Sequence, residues 1–90
     1  MAVGIYMANQ ITAAKYDEAM RKLNQAGASA PKGRTYHAAF FEGDTLSVFD
    51  VWDSMADFEA FGATLGPILQ ELGVETPEPQ VSEVHNIVAG

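Results

Sequence analysis

Two apolar periodicities alternate along the chain. In residues 2–8, Val3, Ile5 and Met7 fall on one side and Tyr6 on the other, a period of two that predicts a strand. Asn9-Gln10 is expected to break it. Thr12 then suits a helix N-cap, with Asp17 and Glu18 early in the segment that follows. Tyr16, Ala19, Met20 and Leu23 recur at helical spacing and predict an amphipathic helix over 13–26, ended by Gly27. Pro31-Lys32-Gly33 marks a turn. Residues 35–42 and 45–53 read as two strands joined by a hairpin at Gly43-Asp44. Ser54, with Asp57 three residues on, opens a second helix. Its stripe runs through Phe58, Phe61, Leu65, Ile68 and Leu72 to Gly73. Gly66-Pro67 is expected to bend that helix rather than end it, because the stripe resumes in register beyond the proline. Thr76-Pro77-Glu78-Pro79 reads as an extended linker and residues 80–88 as a fourth strand, which its pattern does not orient.

The order β-α-β-β-α-β predicts an α+β, ferredoxin-like domain over residues 1–90. Short right-handed connections give an antiparallel four-stranded sheet in the order 4-1-3-2, with both helices on one face. The other face is left bare. On a chain of 90 residues, which buries little surface by itself, an apolar bare face implies a homodimer.

Composition narrows the partners. Five basic and twelve acidic residues give a net charge of -7, scattered along the chain. That argues against nucleic acid and anionic membrane surfaces, both of which select clustered positive charge. No apolar run approaches the ~18 residues of a membrane helix. Cysteine is absent, which removes disulfides, thiolate metal sites and cysteine nucleophiles and suits a cytoplasmic location.

Candidate chemistry centres on Leu46-Ser47-Val48-Phe49-Asp50-Val51-Trp52-Asp53. Leu46, Val48, Asp50 and the only tryptophan, Trp52, share one face; Ser47, Phe49, Val51 and Asp53 share the other. Phe49 and Val51 suit a core. An unpaired buried carboxylate is expensive, so the face with Asp50 should line something polar. An even hairpin register sets His37 opposite Asp50 and Thr35 opposite Trp52, with opposed Cβ atoms ~5 Å apart. Imidazole and carboxylate can then bond and fix a tautomer. One reading is a general base walled by Trp52, Thr35 and Tyr6. The other is a structural His–Asp pair at a dimer interface. His85 lies two strands from Asp50 and three from His37, ~14 Å away at ~4.8 Å per strand, so no metal is expected. Phe40, Phe41, Phe49, Phe58 and Phe61 are expected in the core.

The run Asp50-Val51-Trp52-Asp53-Ser54, followed by Phe58-Glu59-Ala60-Phe61 and Leu65-Gly66-Pro67-Ile68-Leu69, resembles the dimeric α/β-barrel superfamily. It is most similar to small antibiotic-biosynthesis monooxygenase-like proteins. The resemblance implies sheets packed face to face in a dimer, a cavity in each subunit, and no cofactor. Its monooxygenase members oxidise aromatic polyketide-like substrates with O2. Three functions stay open: a homodimer binding a small, partly aromatic molecule at His37, Asp50, Trp52, Tyr6 and Thr35; a cofactor-independent monooxygenase, or an isomerase or cyclase, with His37–Asp50 as base; and a structural or regulatory dimer without a ligand.

Overall fold

A computed structural model describes residues 1–75 and 78–89. The elements are β1 (Val3–Ile11), α1 (Ala13–Gln25), β2 (Arg34–Glu42), β3 (Thr45–Trp52), α2 (Met55–Glu71) and β4 (Gln80–Glu83). The strands form one antiparallel sheet in the order β2-β3-β1-β4, the expected ferredoxin-like arrangement. The expected linker begins at Thr76-Pro77, which lie outside the described residues.

Both helices start and stop on local chemistry. The Thr12 and Ser54 hydroxyls accept from the backbone N–H of Lys15 and Asp57, satisfying donors that a first turn leaves free. Gly27 and Gly73 follow the two C-termini at φ of 72° and 71°, where a left-handed residue lets the chain turn back. Helix α2 runs through Pro67 without interruption, as the stripe requires.

Three departures from the sequence pattern matter. β1 does not stop at Asn9. It continues to Ile11 through an irregularity between Met7 and Ile11, where Asn9 takes a φ of 47°. Asparagine tolerates that region. The Asn9 N–H donates to Ser47 Oγ at 2.9 Å, and its side-chain carbonyl accepts from Thr45, so the kink is bonded into β3. β4 ends at Glu83 rather than residue 88; Val84 makes one further bond to the Ala2 carbonyl, and the following residues leave the sheet. Finally, a bulge between Arg34 and Tyr36 shifts the start of β2. Arg34, not Thr35, pairs with Trp52.

The helices cover the face that carries Asp50. Ile5, Met7, Val48 and Trp52 pack there with Leu23 of α1 and Phe61 of α2. A second cluster joins Ile11 and Leu46 to Ala19 and Leu69. Phe49 and Val51, expected in the core, lie on the face the helices leave uncovered, where Val51 is nonetheless buried and Phe49 half-buried. Of the five phenylalanines, Phe58 and Phe61 pack against Trp52, while Phe40 and Phe41 are 40% and 67% exposed. Aromatic residues fit a strand whether its face is covered or not, so composition did not separate the two environments.

Candidate functional site

The sheet register sets His37 on β2 directly opposite Asp50 on β3. Their side chains meet on the covered face, with His37 Nδ1 2.5 Å from Asp50 Oδ1. The second carboxylate oxygen accepts from the Trp52 indole N–H at 3.3 Å. Tyr16 completes the chain from α1: its hydroxyl lies 2.7 Å from His37 Nε2, with the two rings parallel to within 1° and 6.0 Å apart. Four side chains from three elements thus form one line, Trp52–Asp50–His37–Tyr16.

Its polarity follows from the donors available. A carboxylate only accepts, so Nδ1 carries a proton, and in the neutral imidazole Nε2 is then left to accept from the Tyr16 hydroxyl. The Tyr16 oxygen keeps its lone pairs for a further donor. Asp50 is only 4% exposed and Trp52 fully buried, yet no buried side-chain nitrogen or oxygen among the described residues lacks a partner. That satisfaction is what makes a carboxylate tolerable at this depth. Burial holds the Tyr16 phenol above its ordinary value; Arg34 opposes this, and the carboxylates of Asp50 and Asp17 reinforce it. Tyr16 is therefore a neutral O–H donor at neutral pH.

A cavity of about 40 Å³ opens between sheet and helices, lined by Tyr16, His37, Asp50 and Arg34 among apolar neighbours such as Met7 and Leu65. A second space of about 80 Å³ shares Met7, Asp50, Phe61 and Leu65 with it and runs under Gly62 and Gly66 of α2. Polar groups converge on one wall and the rest is apolar, the usual make-up of a small-molecule site.

Among the residues singled out from sequence, His37, Asp50 and Trp52 come together here. Tyr6 and Thr35 do not. Tyr6 pairs with Phe49 on the uncovered face, stacks on Phe40 and donates to Glu42. Thr35 sits in the bulge, bonds the Val51 carbonyl at 3.3 Å and lines an open groove of about 1020 Å³ on that same face. His85 is exposed beside that groove, across the sheet from His37. Two residues that alternation did not mark occupy the vacated places. Tyr16 reads as one more apolar position of α1, though its hydroxyl was the available signal. Arg34 reads as the end of a loop, and only the bulge turns it toward the cavity.

No protein-family model matches the chain, and no curated protein matches it by sequence. Solved structures do match. A Chloroflexus aurantiacus J-10-fl protein assigned as an antibiotic biosynthesis monooxygenase superposes with a TM-score of 0.66 at 17% identity, over 100% of both chains. SnoaB, a cofactor-independent oxygenase from Streptomyces nogalater, gives 0.60 at 17% identity, over 99% of this chain and 95% of its own. The structural-genomics protein YJCS gives 0.64 at 10% identity, over 94% of this chain and 100% of its own. The chain has the ferredoxin-like fold of the antibiotic-biosynthesis-monooxygenase-like proteins.

Proposed function

We propose that the chain binds a small, partly aromatic molecule in the cavity beneath its helices and removes a proton from it, as the first step of a cofactor-independent oxygenation. The observation that carries this reading is the unbroken Trp52–Asp50–His37–Tyr16 chain ending at the cavity wall. A substrate hydroxyl donating to Tyr16 can pass its proton to that oxygen while Tyr16 passes its own to His37 Nε2. The imidazolium formed is held by Asp50, which is held in turn by Trp52. A positioned relay of this kind contributes about 10²–10⁴-fold to a proton transfer. The resulting phenolate is electron-rich enough to reduce O2. One oxygen atom then enters the ring as a quinone carbonyl and the other leaves as water, all electrons coming from the substrate. The fold shared with SnoaB supports O2 as the oxidant.

The uncovered sheet face belongs to a second copy of the chain in this reading. Tyr36, Phe40, Phe49 and Val51 lie there, and the apolar tail that follows β4 borders the groove beside them. A face of this kind is unusual on a monomer. Among the described residues no helix is long and apolar enough to cross a membrane, and the lack of cysteine fits a cytoplasmic site of action.

The test is oxygen uptake with a panel of phenols. Wild type should consume O2, His37→Gln should lose about 10²–10⁴-fold, and Tyr16→Phe should lose a substantial part. Both variants should melt within a few degrees of wild type. A folded wild-type protein that consumes no O2 with any phenol, or a His37→Gln variant with full turnover, would overturn the reading. In that case the chain of bonds serves only to satisfy Asp50.

A further inference from the structure

Arg34 takes no part in removing the proton, yet it lines the same cavity wall. Its guanidinium lies 5.6 Å from the centre of the Phe61 ring and donates to the Ser29 carbonyl at 3.2 Å. None of the ion pairs among the described residues involves it. A guanidinium carries five N–H donors and is always charged. Half-buried beside an apolar cavity, it favours an anion far more than it would in water. Asp50 is already taken by His37 and Trp52, which leaves Arg34 free to pair with negative charge carried by a ligand.

Size supplies a second, independent limit. The two spaces, which share Met7, Asp50, Phe61 and Leu65 in their walls, measure about 40 and 80 Å³. Even joined they stay below the ~150 Å³ of an apolar cavity that takes up benzene, and far below the ~300–1,000 Å³ of sites for drug-sized ligands. Both spaces are open on one side, so a single ring seats one edge between Arg34 and Phe61 and leaves the rest at the mouth. A fused tricycle would leave most of its rings outside the space between α2 and the sheet.

We propose that the cavity selects a single-ring acidic phenol and holds it as the phenolate, with its ionised oxygen against Arg34 and its ring on the Phe61 side. This rests on the cavity being the substrate site, and it narrows that reading from aromatic molecules in general to small anionic ones.

The probe is 4-nitrophenol, whose phenolate absorbs in the visible. Titrated at a pH where most of the free compound is neutral, wild-type protein should convert the bound compound to phenolate and favour the anion at least about tenfold. Alizarin, a tricyclic phenol, should not change the emission of Trp52. Arg34→Met keeps the apolar stem over Phe61 and should abolish the preference for the anion; Arg34→Lys should keep part of it. Melting curves establish that each variant is folded, and if Arg34→Met is not, the loss of preference is read from Arg34→Gln. Bound 4-nitrophenol that stays neutral on wild type, an anion preference that survives in the folded Arg34→Met or Arg34→Gln variant, or alizarin binding as tightly as the single ring would each overturn the proposal. Arg34-dependent phenolate binding without O2 uptake would sustain it and remove the oxygenase reading. O2 uptake confined to polycyclic phenols would do the reverse.

Discussion

On one face of the sheet, Ile5 and Trp52 are completely buried, a carboxylate has both oxygens bonded, and the space beside it measures about 40 Å³. On the other, Tyr36 is 56% exposed, Phe40 is 40% exposed, and a groove of about 1020 Å³ lies open. Adjacent residues of the same strand, Asp50 and Val51, point to opposite faces, and both are buried. Polarity did not decide which face was sealed: the covered one holds the ionisable chain, the open one holds much of the exposed aromatic surface. A buried polar group is tolerated when its neighbours complete its bonds. An apolar face stays open when no element of its own chain can reach it.

The polar cluster on the open face sharpens the contrast. Tyr6 and Ser47 both donate to Glu42, and Ser47 also accepts from the Asn9 N–H. This cluster bonds the kink of β1 into β3, and an open space of about 370 Å³ lies beside its Asn9 end. The relay on the covered face ends at space a ligand can enter. Both are networks of hydrogen-bonded side chains; in the proposed function it is the second that acts on a molecule.

The largest effect should come from Trp52→Ala. It removes the packing on Phe58 and Phe61 and leaves Asp50 with one donor, and it should cost about 3–5 kcal/mol in denaturant unfolding. If Trp52→Ala cost under about 1 kcal/mol, the covered face would not be the core that its burial describes. The converse change, Tyr36→Asp with Phe40→Asp, places charge on the open face. Wild type should sediment as a dimer at micromolar concentration and the double variant at the mass of a single chain, with its fold retained by circular dichroism. A wild-type monomer would mean that no second copy covers this face.

Gly62→Ala and Gly66→Ala probe the edge of the covered face from outside. A Cβ at either position meets nothing within 4 Å, and glycine within a helix costs about 0.5–1 kcal/mol relative to alanine. Each change should raise stability by roughly that amount, and both line the second space beside the relay, so each should also slow ligand uptake. Stopped-flow quenching of Trp52 by 4-nitrophenol measures the latter. Unchanged uptake in both variants would move the mouth of the cavity away from α2.

The smallest effect concerns pH. Hydrogen bonds from Ser47 and then Tyr6 hold the Glu42 carboxyl below its ordinary value of 4.5. A carboxyl depressed in the folded state stabilises above its unfolded value, and that contribution fades as pH falls through the folded value. Wild type should therefore melt slightly above Glu42→Gln near neutral pH, with the gap closing below pH 4.5. A gap that is constant across that range would show that the carboxylate charge is not what the two hydroxyls favour.

The sequence by itself determined the element order, the strand order, the helix ends and the pairing of His37 with Asp50. Each follows from local chemistry: alternation, capping residues, the length of one hairpin. Tertiary structure decided which face the helices cover, because alternation sorts residues into two sets without saying which set meets a helix. That choice brought Tyr16 to the site from another element, while the β1–β3 register, which sets Tyr6 opposite Phe49, kept Tyr6 on the other face. The bulge at the start of β2 exchanged Thr35 for Arg34, since a single extra residue in a ladder moves every side chain before it to the opposite face. The size of the cavity was decided last and least locally, by how closely α1 and α2 settle on the sheet, and no stretch of sequence states that distance.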